Sequence, residues 1–405
     1  MITRDLETVV SRLAENFPVV VLTGARQTGK TTLLQHLFPG YSYVTLDLPS
    51  EAALAENDPQ RFFDLHPCPV VIDEIQYAPA LFRHIKILVD GKRRLKGQFI
   101  LTGSQKFNLM KEVSDSLAGR CAMVELEGLS QNELKRNALG ARSYSEILHF
   151  LVRGGMPELW VESQMRSRDF FQGYVSTYLQ RDVRQILEVT NLRDFERFMR
   201  ACALRSSQLL NKSDLARDVG ISVKTVDSWL GILATSNQVL LLEPWFGNFS
   251  KRLAKSPKLF FADTGMLCFL LGLDEATIKT SPFLGAIWET FVYAEIRKCM
   301  PHLAGVPSVW FYRDQTQSEV DFIIESGSQI LLMECKLSET VDAKATHSVV
   351  QLQSALGDQM KSNYTKISSV VAGRPQSGVS RLSNGVEVIH GLDVFEHLQK
   401  SFASQ

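Results

Sequence analysis

Residues 1–130 alternate short apolar runs with amphipathic stretches. Pro18–Leu22 (PVVVL), Tyr43–Leu46 (YVTL), Pro69–Ile72 (PVVI), Gln98–Leu101 (QFIL) and Cys121–Leu126 (CAMVEL) read as five strands. Runs that are apolar at every position belong to strands covered on both faces, and the amphipathic segments between them supply the covering helices. The pattern predicts an α/β domain with a parallel sheet.

From Ser130 to Ser206 the pattern turns helical, with Arg and Glu recurring at three- and four-residue spacing. LLNKSDLARDVGI, a turn at Gly220–Ser222, and VKTVDSWLGILATSN then resemble a helix-turn-helix, with VLLLEPW and KLFFAD placed to form its wing. Beyond residue 280 comes a helix, LGAIWETFVYAEIRKCM. Strands around Val309–Tyr312, Glu319–Ile324 and Ile330–Cys335 follow and make a second α/β unit. The expected domains are 1–130, 131–205, 206–265 and 266–405. A chain of 405 residues is too long for one core, so several domains are expected on length as well.

Composition narrows the class. Hydrophobic residues at 45% and charged residues at 22% fit a folded protein. Lys+Arg and Asp+Glu both number 44, so the net charge is zero. That argues against an overall basic nucleic-acid binder and leaves room for a local basic groove. The six cysteines form no CxxC pair, which argues against zinc and against a disulfide framework and fits a reducing, cytoplasmic setting. The opening MITRDLETVV does not read as a signal peptide, and no run approaches the ~20 apolar residues of a membrane helix.

The first chemical motif is Gly24-Ala25-Arg26-Gln27-Thr28-Gly29-Lys30-Thr31-Thr32, after a strand and opening a helix. GxxxxGKT in that context is a P-loop. The glycines let backbone N–H groups cradle phosphates at a helix N-terminus. Lys30 supplies charge for the β- and γ-phosphates, and the Thr31 hydroxyl is placed to ligate Mg2+. The third strand ends in Asp73-Glu74, the Walker B arrangement. Asp73 would hold Mg2+ through water and Glu74 would polarise the attacking water. The expected ligands are therefore ATP and Mg2+.

The fourth strand ends Leu-Thr102-Gly-Ser104-Gln105, and its end is expected beside the first and third strands. Thr102, Ser104 and Gln105 are candidates to sense the γ-phosphate, Ser104 first among them; a plain turn is the other reading. Arg120, just before the fifth strand, has two readings. It is a finger for a neighbouring subunit's nucleotide, or it caps the strand.

GARQTGKT, VVIDEIQYAP, LTGSQ and SLAGR resemble the AAA+ ATPases of a bacterial and archaeal group with a long C-terminal domain of undefined function. RGGMPEL, YLQRDV, KSPKLFFADTGML, GAIWETFVYAE, EVDFII and LLMECK match that group's later landmarks in order, so the resemblance covers nearly the whole chain. It implies an AAA+ sheet, Arg120 at the arginine-finger position and a homo-oligomer.

The second constellation is Glu319-Val-Asp321 on one strand and Glu334-Cys-Lys336 on the next. Side chains alternate along a strand, so Glu319 and Asp321 share a face, as do Glu334 and Lys336. Paired as a hairpin, the strands would bring Asp321, Glu334 and Lys336 together, two carboxylates for Mg2+ and a Lys to orient water for phosphodiester cleavage. This resembles the PD-(D/E)XK nuclease fold, that is, a restriction-endonuclease-like domain. There a preceding helix often adds a carboxylate, here Glu289 or Glu295. Val320 departs from the Pro of that pattern. The bland reading is a surface ion pair such as Glu334 with Lys336.

The candidate recognition helix is expected to bury Val223, Val226, Leu230 and Leu233 and to expose Lys224, Thr225, Asp227 and Ser228. Asp227 would repel phosphates. Arg193, Arg197 and Arg200, the Lys92–Lys96 cluster, and Lys251, Arg252, Lys255 and Lys258 each read first as solvated faces. The leading expectation is an ATPase coupled to DNA binding or processing, with Mg2+-dependent cleavage at the C-terminal site. The rival is a nucleotide-controlled protein-interaction switch with an inactive nuclease-like domain.

Overall fold

The computed structural model describes residues 2–103, 116–178, 192–245, 256–359, 364–376 and 380–403. Ser104 and Gln105 lie outside the described residues, as do Lys251, Arg252 and Lys255. The chain divides into two units. One comprises residues 1–129 with 156–158 and 235–238, the other 130–155, 159–234 and 239–405. Among the described residues no helix is long and apolar enough to cross a membrane.

In the first unit the five apolar runs form one parallel sheet: β1 (Val19–Thr23), β2 (Ser42–Thr45), β3 (Val70–Asp73), β4 (Phe99–Gly103) and β5 (Cys121–Glu125). The order is β2-β3-β4-β1-β5, so β4 lies between β1 and β3 as expected. Alternation along β1 sorts the core into two layers. Val19 and Val21 pack with Phe82 and Ile85 of helix Ala80–Gly91. Val20 and Leu22 pack with Val10 of α1 (Glu7–Asn16) and with Leu33 and Leu34 of α2 (Lys30–Leu37). Burial on both faces is why β1, β3 and β4 read as apolar runs, whereas the edge strands β2 and β5 are largely half-buried.

In the second unit, Lys212–Val219 and Val223–Thr235 form the helix-turn-helix, joined through Gly220 in the left-handed region. A three-stranded sheet accompanies it: β6 (Gln208–Leu209), β8 (Lys258–Phe261) and β7 (Val239–Leu242), in that order. The two runs expected to form a wing are paired antiparallel as β7 and β8. One expectation fails: Val223 is exposed, and Trp229 takes the buried place, packed on Phe195 and Phe198. Val223 opens the helix, ahead of its apolar stripe.

Helix Leu284–Cys299 precedes a six-stranded sheet of order β13-β14-β12-β11-β10-β9. Its strands are β9 (Ser308–Arg313), β10 (Glu319–Ser326), β11 (Gln329–Cys335), β12 (Lys366–Gly373), β13 (Ser380–Arg381) and β14 (Glu387–His390). β9, β10 and β11 are antiparallel neighbours, and β12 joins parallel to β11 after helix His347–Gln359. The β9–β10 register shifts between Val320 and Ile323, an irregularity at Asp321 of the kind that re-aims a side chain.

Candidate functional sites

The P-loop joins β1 to α2. Gly24 has φ 146°, and a Cβ there would lie 2.2 Å from the Leu126 carbonyl oxygen. Gly29 is left-handed at φ 90°. These two positions require glycine, which is why the motif carries it there. Arg4, itself buried, donates to the Thr28 carbonyl at 2.7 Å and to the Glu127 carbonyl at 2.7 Å. The Thr28 hydroxyl donates to the Ala25 carbonyl at 2.9 Å, so the loop is held from both sides.

Lys30 Nζ donates to the carbonyls of Gly24 and Ala25, each at 2.9 Å. Burial lowers its pKa, and Glu74 and Asp73 oppose that shift. Thr31 Oγ1 donates to Asp73 Oδ2 at 2.6 Å. This joins the two residues expected to hold Mg2+. Thr102 donates to Asp73 Oδ1 and accepts from the Glu74 backbone N–H at 3.2 Å. Glu74 is left-handed (φ 56°, ψ 47°) and accepts from Gln76 Nε2. A non-glycine residue in that region carries strain, here braced by Thr102 and placed at the carboxylate expected to act on water. Arg26 is half-buried, and Gln27 and Thr32 face solvent.

Sequence reasoning missed Tyr43. Its hydroxyl donates to the same Asp73 Oδ2 at 2.9 Å. Burial and the Asp73 charge raise its pKa, so it stays a donor. Tyr43 reaches Asp73 because β2 pairs with β3 in parallel, Thr45 opposite Asp73, a relation no local motif encodes. Tyr43→Phe removes one hydrogen bond of about 1 kcal/mol. The expected result is a roughly threefold to tenfold rise in the Mg2+ concentration for half-maximal ATP hydrolysis, with little change in stability.

Arg120 is engaged within its own chain. Nε is 2.7 Å from Asp90 Oδ1, Nη2 is 3.0 Å from Asp90 Oδ2, and Nη1 donates to the Ala118 carbonyl at 3.0 Å.

In the C-terminal unit the hairpin forms, with Phe322 opposite Met333. Asp321 lies one step beyond that pair, and its Oδ2 accepts from the Cys335 backbone N–H at 2.9 Å. Lys336 Nζ is 2.9 Å from Glu334 Oε1. Of the two helix carboxylates, Glu289 is the one that faces this region. Glu295 is buried elsewhere, accepting from the Gln131 backbone N–H at 3.0 Å and from Lys298 at 2.9 Å.

Lys258 overturns an expectation. It is not on a solvated face but 2% exposed, with Nζ 2.9 Å from Glu289 Oε1, 2.5 Å from Glu319 Oε1 and 3.7 Å from Asp321 Oδ1. Burial alone would lower its pKa; the three carboxylates outweigh burial and raise it. Glu289 also accepts from the Ser207 hydroxyl, and Arg313 is 3.2 Å from Glu319 Oε2. Among the described residues no group of three His, Cys, Asp or Glu side chains is arranged to hold a metal ion. The residues around Lys258 therefore do not fit a bound Mg2+ as they stand. The one signal in sequence was a lysine heading the otherwise apolar run LFF.

Burial, then the Asp321 charge, pushes Glu334 up to about 8 and Glu289 up to about 7. Both folded values lie above the ordinary 4.5, so the folded chain keeps protons that the unfolded chain releases. Stability should therefore fall as pH rises from about 4.5 to 8. Glu334→Gln should flatten that dependence and gain on the order of 2 kcal/mol over the parent at pH 8, read by denaturant unfolding across the range.

A family model described as "AAA domain" matches residues 16–135. Two models described as domains of unknown function, DUF8612 and DUF4143, match residues 144–277 and 284–374. "Uncharacterized protein Rv2008c" of Mycobacterium tuberculosis and "Uncharacterized protein Mb2031c" of Mycobacterium bovis are each 31% identical over 357 residues, covering 87% of this chain and 78% of theirs. Among solved structures, the Walker-type ATPase PABY2304 of Pyrococcus abyssi aligns with a TM-score of 0.46 at 16% identity, covering 67% of this chain and 96% of that one. The chain belongs to the family of the two mycobacterial proteins, and its N-terminal part is an AAA-type P-loop ATPase domain.

Proposed function

We propose that this protein hydrolyses Mg2+-ATP at the P-loop and uses the cycle to control DNA binding or processing by its C-terminal part. The observation that carries the ATPase half is the network Thr31–Asp73–Thr102–Glu74, which joins the P-loop threonine to the Asp73 carboxylate and, through Thr102, to the Glu74 backbone N–H. Thr31 and Asp73 would hold Mg2+, which when bound supplies positive charge against the phosphate oxygens. Lys30 exchanges its loop carbonyls for phosphate oxygens. Glu74 accepts the proton of the attacking water. Arg120 acts in a homo-oligomer, leaving Asp90 for a neighbour's nucleotide. The six cysteines are free thiols, which supports a reducing compartment such as the cytoplasm.

DNA engagement is supported by the winged helix-turn-helix. Lys224 and Ser228 are exposed on its second helix, and Lys212 neutralises Asp227 at 2.6 Å, which weakens the repulsion expected of that aspartate. A second reading is a nucleotide-controlled protein-interaction switch that does not cleave; Lys258 among the carboxylates favours it over Mg2+-dependent cleavage at Asp321, Glu334 and Lys336. The test is ATP hydrolysis with and without supercoiled, linear and single-stranded DNA at low salt, scoring cleavage in the same tubes. DNA-stimulated hydrolysis supports the first reading. Hydrolysis indifferent to DNA, with no binding at low salt, overturns it.

A further inference from the structure

Four carboxylates gather at one end of the β10–β11 hairpin: Glu289, Glu319, Asp321 and Glu334. Lys258, from the central strand of the winged-helix sheet, enters this group from outside the C-terminal sheet. Its ammonium touches two of them and lies 3.7 Å from a third. It also sits 5.6 Å from the centre of the Phe311 ring, so aromatic and carboxylate partners together hold it. Arg313 and Lys336 balance the outer oxygens of Glu319 and Glu334. One acceptor is left over. Glu334 is 8% exposed, and its Oε2 is buried with no hydrogen-bond partner among the described residues. Buried acceptors are normally satisfied, so with the Lys258 ammonium removed this oxygen and the neighbouring Asp321 carboxylate would be open to a divalent ion.

We propose that Lys258 is a built-in counter-ion that closes the Glu289–Asp321–Glu334 set against divalent metal, and that a neutral side chain at position 258 converts this set into a site for a hard divalent cation of the Mg2+ or Mn2+ type. An ammonium offsets part of the negative charge without demanding octahedral geometry, and with Arg313 and Lys336 it lets the fold keep its carboxylates together in the absence of metal. The proposal rests on reading this cluster as the functional site of the C-terminal unit and is independent of the P-loop.

Mn2+ is titrated, without nucleotide, into the full chain, Lys258→Met and Lys258→Met/Asp321→Asn. Free Mn2+ is counted by electron paramagnetic resonance, thermal unfolding is followed in parallel, and DNA cleavage is scored separately. The expected result is one additional Mn2+ on Lys258→Met, at least tenfold tighter than on the double variant, with a midpoint that rises with Mn2+. Binding without cleavage leaves the proposal standing and removes the nuclease reading alone. If Lys258→Met does not fold, Lys258→Met/Glu319→Gln, which removes a charge from each side and leaves the Glu289–Asp321–Glu334 set intact, takes its place with the same expectation. A parent that binds Mn2+ in a way Asp321→Asn abolishes overturns the proposal, as does a folded position-258 variant that gains no Mn2+.

Discussion

Glu74→Gln should hold ATP and fail to turn it over. Glutamine keeps the shape of the side chain and loses the carboxylate that takes a proton from water. General-base catalysis contributes about 10²–10⁴-fold, and kcat should fall in that range. Nucleotide affinity should change little, because Lys30, Thr31 and the loop N–H groups are untouched. Single-turnover hydrolysis beside binding of a fluorescent ATP analogue separates the two. A fall of less than about tenfold would remove Glu74 from the role of base.

Lys258→Met should cost on the order of 3–5 kcal/mol, because it leaves the buried Asp321 and the half-buried Glu289 and Glu319 without their cation. The strain is electrostatic rather than steric, since methionine fills nearly the same volume. Adding Glu289→Gln should therefore recover part of the loss. That rescue is what a packing defect would not show. Denaturant unfolding of the parent, single and double variants reads both numbers.

The parts of this fold that were legible in sequence are those in which neighbours in sequence are neighbours in space. The five strands of the ATPase sheet announce themselves by continuous apolar runs. The P-loop and the Asp73-Glu74 pair are contiguous motifs, and the helix-turn-helix follows from its Gly220 turn and its stripe of Val226, Leu230 and Leu233. The hairpin that carries Asp321 and Glu334 was legible from two apolar strands a short turn apart.

What was not legible arrives through tertiary register. Tyr43 meets Asp73 because two strands whose paired residues lie 28 apart, Thr45 opposite Asp73, pair in parallel. Thr102, one of three candidates for sensing phosphate, proves to brace Asp73 and Glu74. Lys258 looked like one of a basic cluster, and the burial of its ammonium depends on a helix and two strands from later in the chain. Val223 failed for a simpler reason: the first residue of a helix lies beyond the face that its stripe buries. Glu289 and Glu295 are six residues apart on one helix, and only the packed structure separates the one facing Asp321 from the one receiving Gln131.

The most direct measurement is steady-state Mg2+-ATP hydrolysis by the purified full chain beside Lys30→Ala. The parent should release phosphate, and Lys30→Ala should fall by at least about a hundredfold, since it removes the charge that meets the transferring phosphoryl group. Equal rates for the two proteins would contradict the P-loop as the site of hydrolysis.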